Sequence, residues 1–133
     1  MRKKLTVVAA LIKQGDRVLI CQRKENDAFA CLWEFPGGTV EQNETFKEAV
    51  KREISEELDV AITPKKMISI FEDSNQYLKI KVHLFECKIN KGKLKALDCK
   101  DFIFVNRDEI SAYNLAPVDK KIAGYLIENG YLY

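Results

Sequence analysis

Residues 33–60, "WEFPGGTVEQNETFKEAVKREISEELDV", set seven glutamates beside a Pro-Gly-Gly turn. Glu53, Glu56 and Glu57 stand at i, i+3 and i+4, a spacing that brings side chains onto one face of a helix. On a wheel of about 100° per residue with Phe46 at zero, Val50, Ile54 and Leu58 fall near 40°, 80° and 120° and form an apolar stripe. The three glutamates come out near 340°, 280° and 20°, crowded along one edge of it. Each like-charged pair costs a few tenths of a kcal/mol even in water, and more beside a core. Lys51 and Arg52 project from other sides of the wheel. A hard divalent cation is therefore the better compensation, since carboxylate oxygens are the ligands magnesium and manganese prefer. A Glu-rich helix alone reads as a solvated face. The glycines of "FPGG" tip the balance, because they let the backbone turn tightly and bring its carbonyls or N–H groups close to a ligand.

Those acids need elements to hold them. Residues 45–58 have helical spacing, with Thr45 as N-cap and Glu48 three residues on to complete a capping box. Residues 5–13 and 17–23, rich in Val, Leu and Ile and joined by "QGD", predict two antiparallel strands. Residues 32–35 form a short strand entering the "PGG" turn. A second strand pair is expected at 67–72 and 77–89 across "DSNQ", a further strand at 102–105 and a closing helix at 118–128. No repeat, low-complexity tract or long linker interrupts residues 1–133. A single domain of α/β (α+β) layered class follows.

Composition narrows the function. The chain has 133 residues, 47% of them apolar, enough for a genuine core. Its 22 basic and 20 acidic residues leave a net charge of +2, too balanced to announce nucleic-acid or membrane binding. Cys21, Cys31, Cys87 and Cys99 are spread along the chain with no C-x-x-C pair, so neither a zinc site nor a disulfide framework is expected. Buried free thiols and a reducing cytoplasm fit better. The opening "MRKKLTVVAALIKQGDR" superficially resembles a signal peptide, but its apolar run is short, lacks a small-residue cleavage site and enters a hairpin turn. No segment approaches membrane-spanning length. His83 alternates with apolar residues in a predicted strand and reads as structural.

Gly38, five residues, Glu44, seven residues and then "REISEELDV" resemble the Nudix signature, G-x5-E-x7-R-E-U-x-E-E-x-G-U with U aliphatic. Every fixed position is met except the second glycine, where Asp59 stands. The resemblance implies an α/β/α sandwich with a mixed central sheet and a loop-helix-loop metal site. It implies Mg2+, with Mn2+ as substitute, held by Glu53, Glu56, Glu57 and the Gly37 carbonyl. Arg52 would hold a glutamate in place and Glu44 would support the loop and helix. The glycine usual at Asp59 would end the helix in a left-handed conformation, which Asp tolerates less well than Gly but better than most residues.

Further positions resemble MutT-like members of that family. Arg23, in "CQRK", matches a phosphate-contacting arginine; from its residue type it is equally an ordinary surface arginine. Asp98 matches a loop glutamate that serves as metal ligand or general base, and is otherwise a turn former. Asp119, in "NLAPVDKKIAGYL", falls where a side chain reads the nucleobase, or else caps the final helix. Phe35 and Leu5 offer apolar walls or core. The activity implied is magnesium-dependent hydrolysis of a nucleoside triphosphate to a monophosphate and pyrophosphate, acting on an oxidised dNTP such as 8-oxo-dGTP or on a CTP or dCTP derivative. Hydrolysis of a nucleotide sugar or dinucleoside polyphosphate, or nucleotide sensing without hydrolysis, are the alternatives. The expected partner is a nucleotide rather than nucleic acid or membrane, and the expected state a monomer or homodimer.

Overall fold

The computed structural model describes residues 2–133. Strand β1 (Lys3–Gln14) carries the run Val-Val-Ala-Ala-Leu-Ile, too continuous for a strand with one wet face. Val8, Ala10 and Ile12 enter one core cluster, while Ala9 and Leu11 enter another on the opposite face. β1 turns at Gly15 (φ 62°) into β2 (Arg17–Gln22), yet the two pair only at Lys13 with Val18 and Gln14 with Arg17 before diverging. Beyond the hairpin, β1 runs parallel to β6 (Leu78–Lys91), and β2 pairs antiparallel with β3 (Trp33–Glu34) and β7 (Asp101–Val105). The edge strand β5 (Ala61–Ser74) is antiparallel to β6, which completes a mixed sheet.

Helix α1 (Phe46–Leu58) covers one face of the sheet through Ala49, Val50, Ile54 and Leu58. The final helix, here α3 (Pro117–Glu128), covers the other through Val118, Ile122, Ala123 and Leu126. The expected layered, mixed-sheet class is thus the observed one. Among the described residues no helix is long and apolar enough to cross a membrane.

Three local expectations change. Strand β5 begins at Ala61 rather than 67, because Pro64 sits on an edge strand beside a bulge, where a missing N–H is tolerated. The "PGG" segment is not a tight turn. Residues Gly37–Thr39 form β4, antiparallel to β1, and neither Gly37 nor Gly38 has positive φ. The glycines serve close approach instead: a Cβ at Gly37 would strike the Val8 carbonyl and the Ala9 backbone. The third change is a four-residue helix that the sequence pattern did not suggest, α2 (Arg107–Ile110), started by a capping box between Asn106 and Glu109.

Candidate active site

The N-terminus of α1 is built as expected. Thr45 Oγ1 accepts from the Glu48 N–H at 3.1 Å and Glu48 Oε1 accepts from the Thr45 N–H at 2.8 Å. At the other end Asp59 takes the left-handed conformation (φ 60°, ψ 33°), and its N–H donates to the Ser55 carbonyl at 3.1 Å. The aspartate therefore keeps the helix stop of the signature without its glycine.

Arg52 departs from the wheel reading. Its guanidinium does not leave the acids but lies among them. Nε and Nη2 donate to the two Glu44 oxygens at 2.7 and 3.0 Å, Nη1 donates to Glu53 Oε1 at 2.9 Å and to Glu56 Oε2 at 3.2 Å, and Nη2 also reaches the Thr39 carbonyl at 3.1 Å. A planar fork can do this and an ammonium cannot. A side chain that long can bend back across the helix surface, which a wheel of Cα directions does not register. Glu44 Oε1 also accepts the Glu41 N–H at 3.0 Å, tying the loop to the helix. The hydrogen bonds from Arg52 hold Glu44 below the usual carboxylate range, whereas burial outweighs Arg52 at Glu53 and raises it.

Glu57 has a different setting. It is only 9% exposed, and burial, reinforced by the nearby Glu34 carboxylate, pushes its pKa up to about 9. Its Oε1 is buried without a hydrogen-bond partner among the described residues. Glu53, Glu56 and Glu57 thus share one edge of α1 but are not drawn together, since Arg52 holds the first two. The donor set suits a hard divalent cation on two counts. Glu57 brings an unpartnered buried oxygen, and Gly38 is bare towards Glu53, whose carboxylate would collide with any Cβ there.

Beside this helix lies a cleft of about 490 Å3, within the usual size of a small-molecule site. Leu5, Arg23, Phe35 and Asp119 all line it, with Gly37 and Gly38 at the side facing α1. Arg23 is held by Glu34 (Nη1 to Oε1, 2.8 Å) and by the Ala28 carbonyl (Nε, 2.7 Å). Asp119 is not the helix cap: Ala116 occupies that position, followed by Pro117, which leaves Asp119 inside the first turn. Its Oδ1 accepts the Phe35 N–H at 2.9 Å. Burial, then the Glu34 carboxylate, push Asp119 well above the usual range. Phe35 combines both readings, being core and wall at once.

Asp98 does not join the cleft lining. Its exposed carboxylate is bonded to Lys24 Nζ at 2.5 Å, while its N–H donates to the Glu57 carbonyl at 3.2 Å. His83 stacks against Phe46, ring centroids 4.2 Å apart, and is buried away from the cleft lining. Glu34 escaped the sequence reading although it touches Arg23 and acts on both Asp119 and Glu57; the "WEFPGG" match pointed at the glycines and left it unremarked. The cysteines require a correction too. Cys21 and Cys99 are far apart in sequence, but the fold sets their sulfurs beside Glu57, all three donor atoms within 4.8 Å of one another.

The NUDIX domain family matches residues 2–125. The chain is 32% identical over 117 residues to the CTP pyrophosphohydrolase of Escherichia coli K12, covering 88% of this chain and 87% of that protein. It is 27% identical over 112 residues to the 8-oxo-dGTP diphosphatase of Buchnera aphidicola subsp. Schizaphis graminum, covering 84% and 85%. The crystal structure of the MutT protein from Methanosarcina mazei Go1 superposes with a TM-score of 0.87 at 22% identity, over 97% of this chain and 96% of that one, a likeness of fold.

Proposed function

The chain belongs to the NUDIX family and is a hydrolase, and from that premise we propose that it hydrolyses a nucleoside triphosphate to a monophosphate and pyrophosphate, with CTP as first candidate and 8-oxo-dGTP as second. One observation carries this reading: a single cleft gathers an arginine fork, a buried aspartate and the glycines of β4, which face the acid-bearing helix. Its length runs from a place for a base to a place for phosphates.

Family members generally use divalent metals, and the oxygen donors here favour magnesium, with manganese as substitute. Glu53, Glu56, Glu57 and the Gly37 carbonyl would hold it. When bound, such an ion neutralises phosphate charge, polarises phosphorus and lowers the pKa of water. Arg52 positions Glu53 and Glu56, and Glu44 orients Arg52. Glu53, raised by burial, is suited to accept the proton of the attacking water as the phosphoanhydride bond breaks. Among the described residues Arg23 Nη2 has no hydrogen-bond partner, and it would donate to a phosphate oxygen.

Asp119 favours cytosine among the candidate bases. In its protonated form, the one burial favours, this carboxyl can donate its O–H to the cytosine ring nitrogen and accept from the exocyclic amine. Ionised, it would suit the N1–H and amino group of a guanine instead. Leu5 and Phe35 would flank the base. Four free cysteines accord with a reducing cytoplasm.

The test is a panel of normal and oxidised nucleoside triphosphates assayed with magnesium for monophosphate and pyrophosphate. Turnover of CTP or 8-oxo-dGTP that is lost in Glu57→Gln is expected. A parent protein inert towards the whole panel, or equally active without any divalent ion, would overturn the reading.

A further inference from the structure

We propose that Cys21, Cys99 and Glu57 form a second metal site, selective for a thiophilic divalent cation of the zinc and cadmium class. Two sulfurs and one carboxylate oxygen lie within 4.8 Å of one another. That is a soft donor set, distinct from the all-oxygen set on the open edge of α1. Cys21 and Glu57 are buried, and among the described residues one Glu57 carboxylate oxygen, Oε1, has no hydrogen-bond partner. An unsatisfied buried oxygen is uncommon in a folded protein and marks a place prepared for a ligand.

The backbone holds the third donor in register with the other two. Cys99 lies in the loop between β6 and β7, tethered on both sides. The Leu97 and Asp98 N–H groups donate to the Glu57 carbonyl at 3.0 and 3.2 Å, and the Lys100 N–H donates to the Gln22 carbonyl, next to Cys21, at 2.8 Å. Zinc–sulfur and zinc–oxygen bonds of about 2.3 and 2.0 Å set tetrahedral donors roughly 3.5–3.8 Å apart, so the trio needs to close by no more than about 1 Å. Cys99 is the partly exposed member and sits on a loop, so it can make that movement and also gives the ion its path of entry. Each thiol, and the Glu57 carboxyl with them, releases its proton to solvent as its donor atom binds. A water on the exposed side would complete four ligands.

Glu57 then belongs to two donor sets. With a thiophilic ion in place its carboxylate is withdrawn from the hydrolytic metal, and hydrolysis falls; this consequence, unlike the binding itself, rests on the function proposed above.

The experiment is a cadmium titration of the whole protein in a non-thiol reductant, read by the ultraviolet thiolate-to-cadmium band. One ion per chain is expected, with the band abolished in Cys99→Ala and in Cys21→Ala and kept in Cys31→Ala. No band in the parent, or an unchanged band in Cys99→Ala, overturns the proposal. In the hydrolysis assay with saturating magnesium, zinc should inhibit the parent, whereas Cys99→Ala should match it without zinc and need at least about tenfold more zinc for the same inhibition. Cys99 is partly exposed and its alanine variant should fold even if Cys21→Ala does not. The cadmium band is independent of turnover, so it decides the site even for a protein that hydrolyses no nucleotide tried.

Discussion

At the α1 side of the cleft, acids gather round one guanidinium within reach of solvent; at the α3 side, Asp119 and Glu34 are drawn inward and Arg23 pairs with Glu34. Burial raises Glu34 as it does Asp119, even with Arg23 against it. A tethered acid such as Glu44 stays ionised and keeps its direction, which suits the orienting of Arg52. A buried acid keeps its proton and becomes a hydrogen-bond donor, which suits the reading of a base edge. Glu57 is the exception that joins the two habits: it stands in the acid helix yet is buried like Asp119.

The sharpest way to break this contrast is at Glu57. Glu57→Gln keeps the shape and removes the anion, so kcat should fall by roughly 10²–10⁴-fold. Its melting temperature in chelator should hold or rise, since the charge it removes is one that burial disfavours. A loss of turnover below threefold would mean that Glu57 is not a ligand of the hydrolytic ion.

Arg52→Lys tests the tethers next. A single ammonium cannot span Glu44, Glu53, Glu56 and the Thr39 carbonyl, so kcat should drop with little change in KM, and the melting temperature should fall. The neighbouring glycines then separate structure from function. Gly37→Ala forces a Cβ into the backbone of β1 and should cost roughly 1–3 kcal/mol of stability. Gly38→Ala meets only the movable end of Glu53, so it should spare stability in chemical denaturation and lower turnover.

Asp119→Asn addresses the α3 side. The folded chain holds the Asp119 proton more tightly than the unfolded chain does. Its contribution to stability is complete below the ordinary aspartate range and is lost as pH rises through the raised folded value. As pH rises above the ordinary aspartate range the melting temperature of the parent should therefore decline relative to that of Asp119→Asn, which keeps the acceptor for the Phe35 N–H. The variant should also shift the ratio of CTP to 8-oxo-dGTP turnover; equal losses for every base would remove its reading role. The smallest effect is expected at Asp98→Ala, where an exposed pair with Lys24 is lost and turnover should stay within about twofold.

Much of the acid helix was legible beforehand because helix geometry is local. The capping box of Thr45 and Glu48, the stripe from Val50 to Leu58 and the edge that carries Glu53, Glu56 and Glu57 depend on spacing within a few turns. Asp59 shows the same: its short polar side chain tolerates the left-handed stop the motif calls for. The MutT-like resemblance added the cleft residues Arg23 and Asp119, which residue type alone left as surface or cap, while Phe35 and Leu5 were offered by residue type as wall or core. The path of Arg52 was missed because a long side chain chooses its partners in space.

What the sequence alone determined is thus most of the elements, though not β4 or α2, together with the layered class and the acid edge of α1, since each follows from periodicity, capping and the chemistry of neighbouring residues. Only the tertiary structure decided that Gly37 and Gly38 form a strand against β1, that Glu34 presses on both Asp119 and Glu57, and that Cys21 meets Cys99. Those contacts arise from the register of strands distant in the chain, and one residue of slip would turn each side chain to the opposite face.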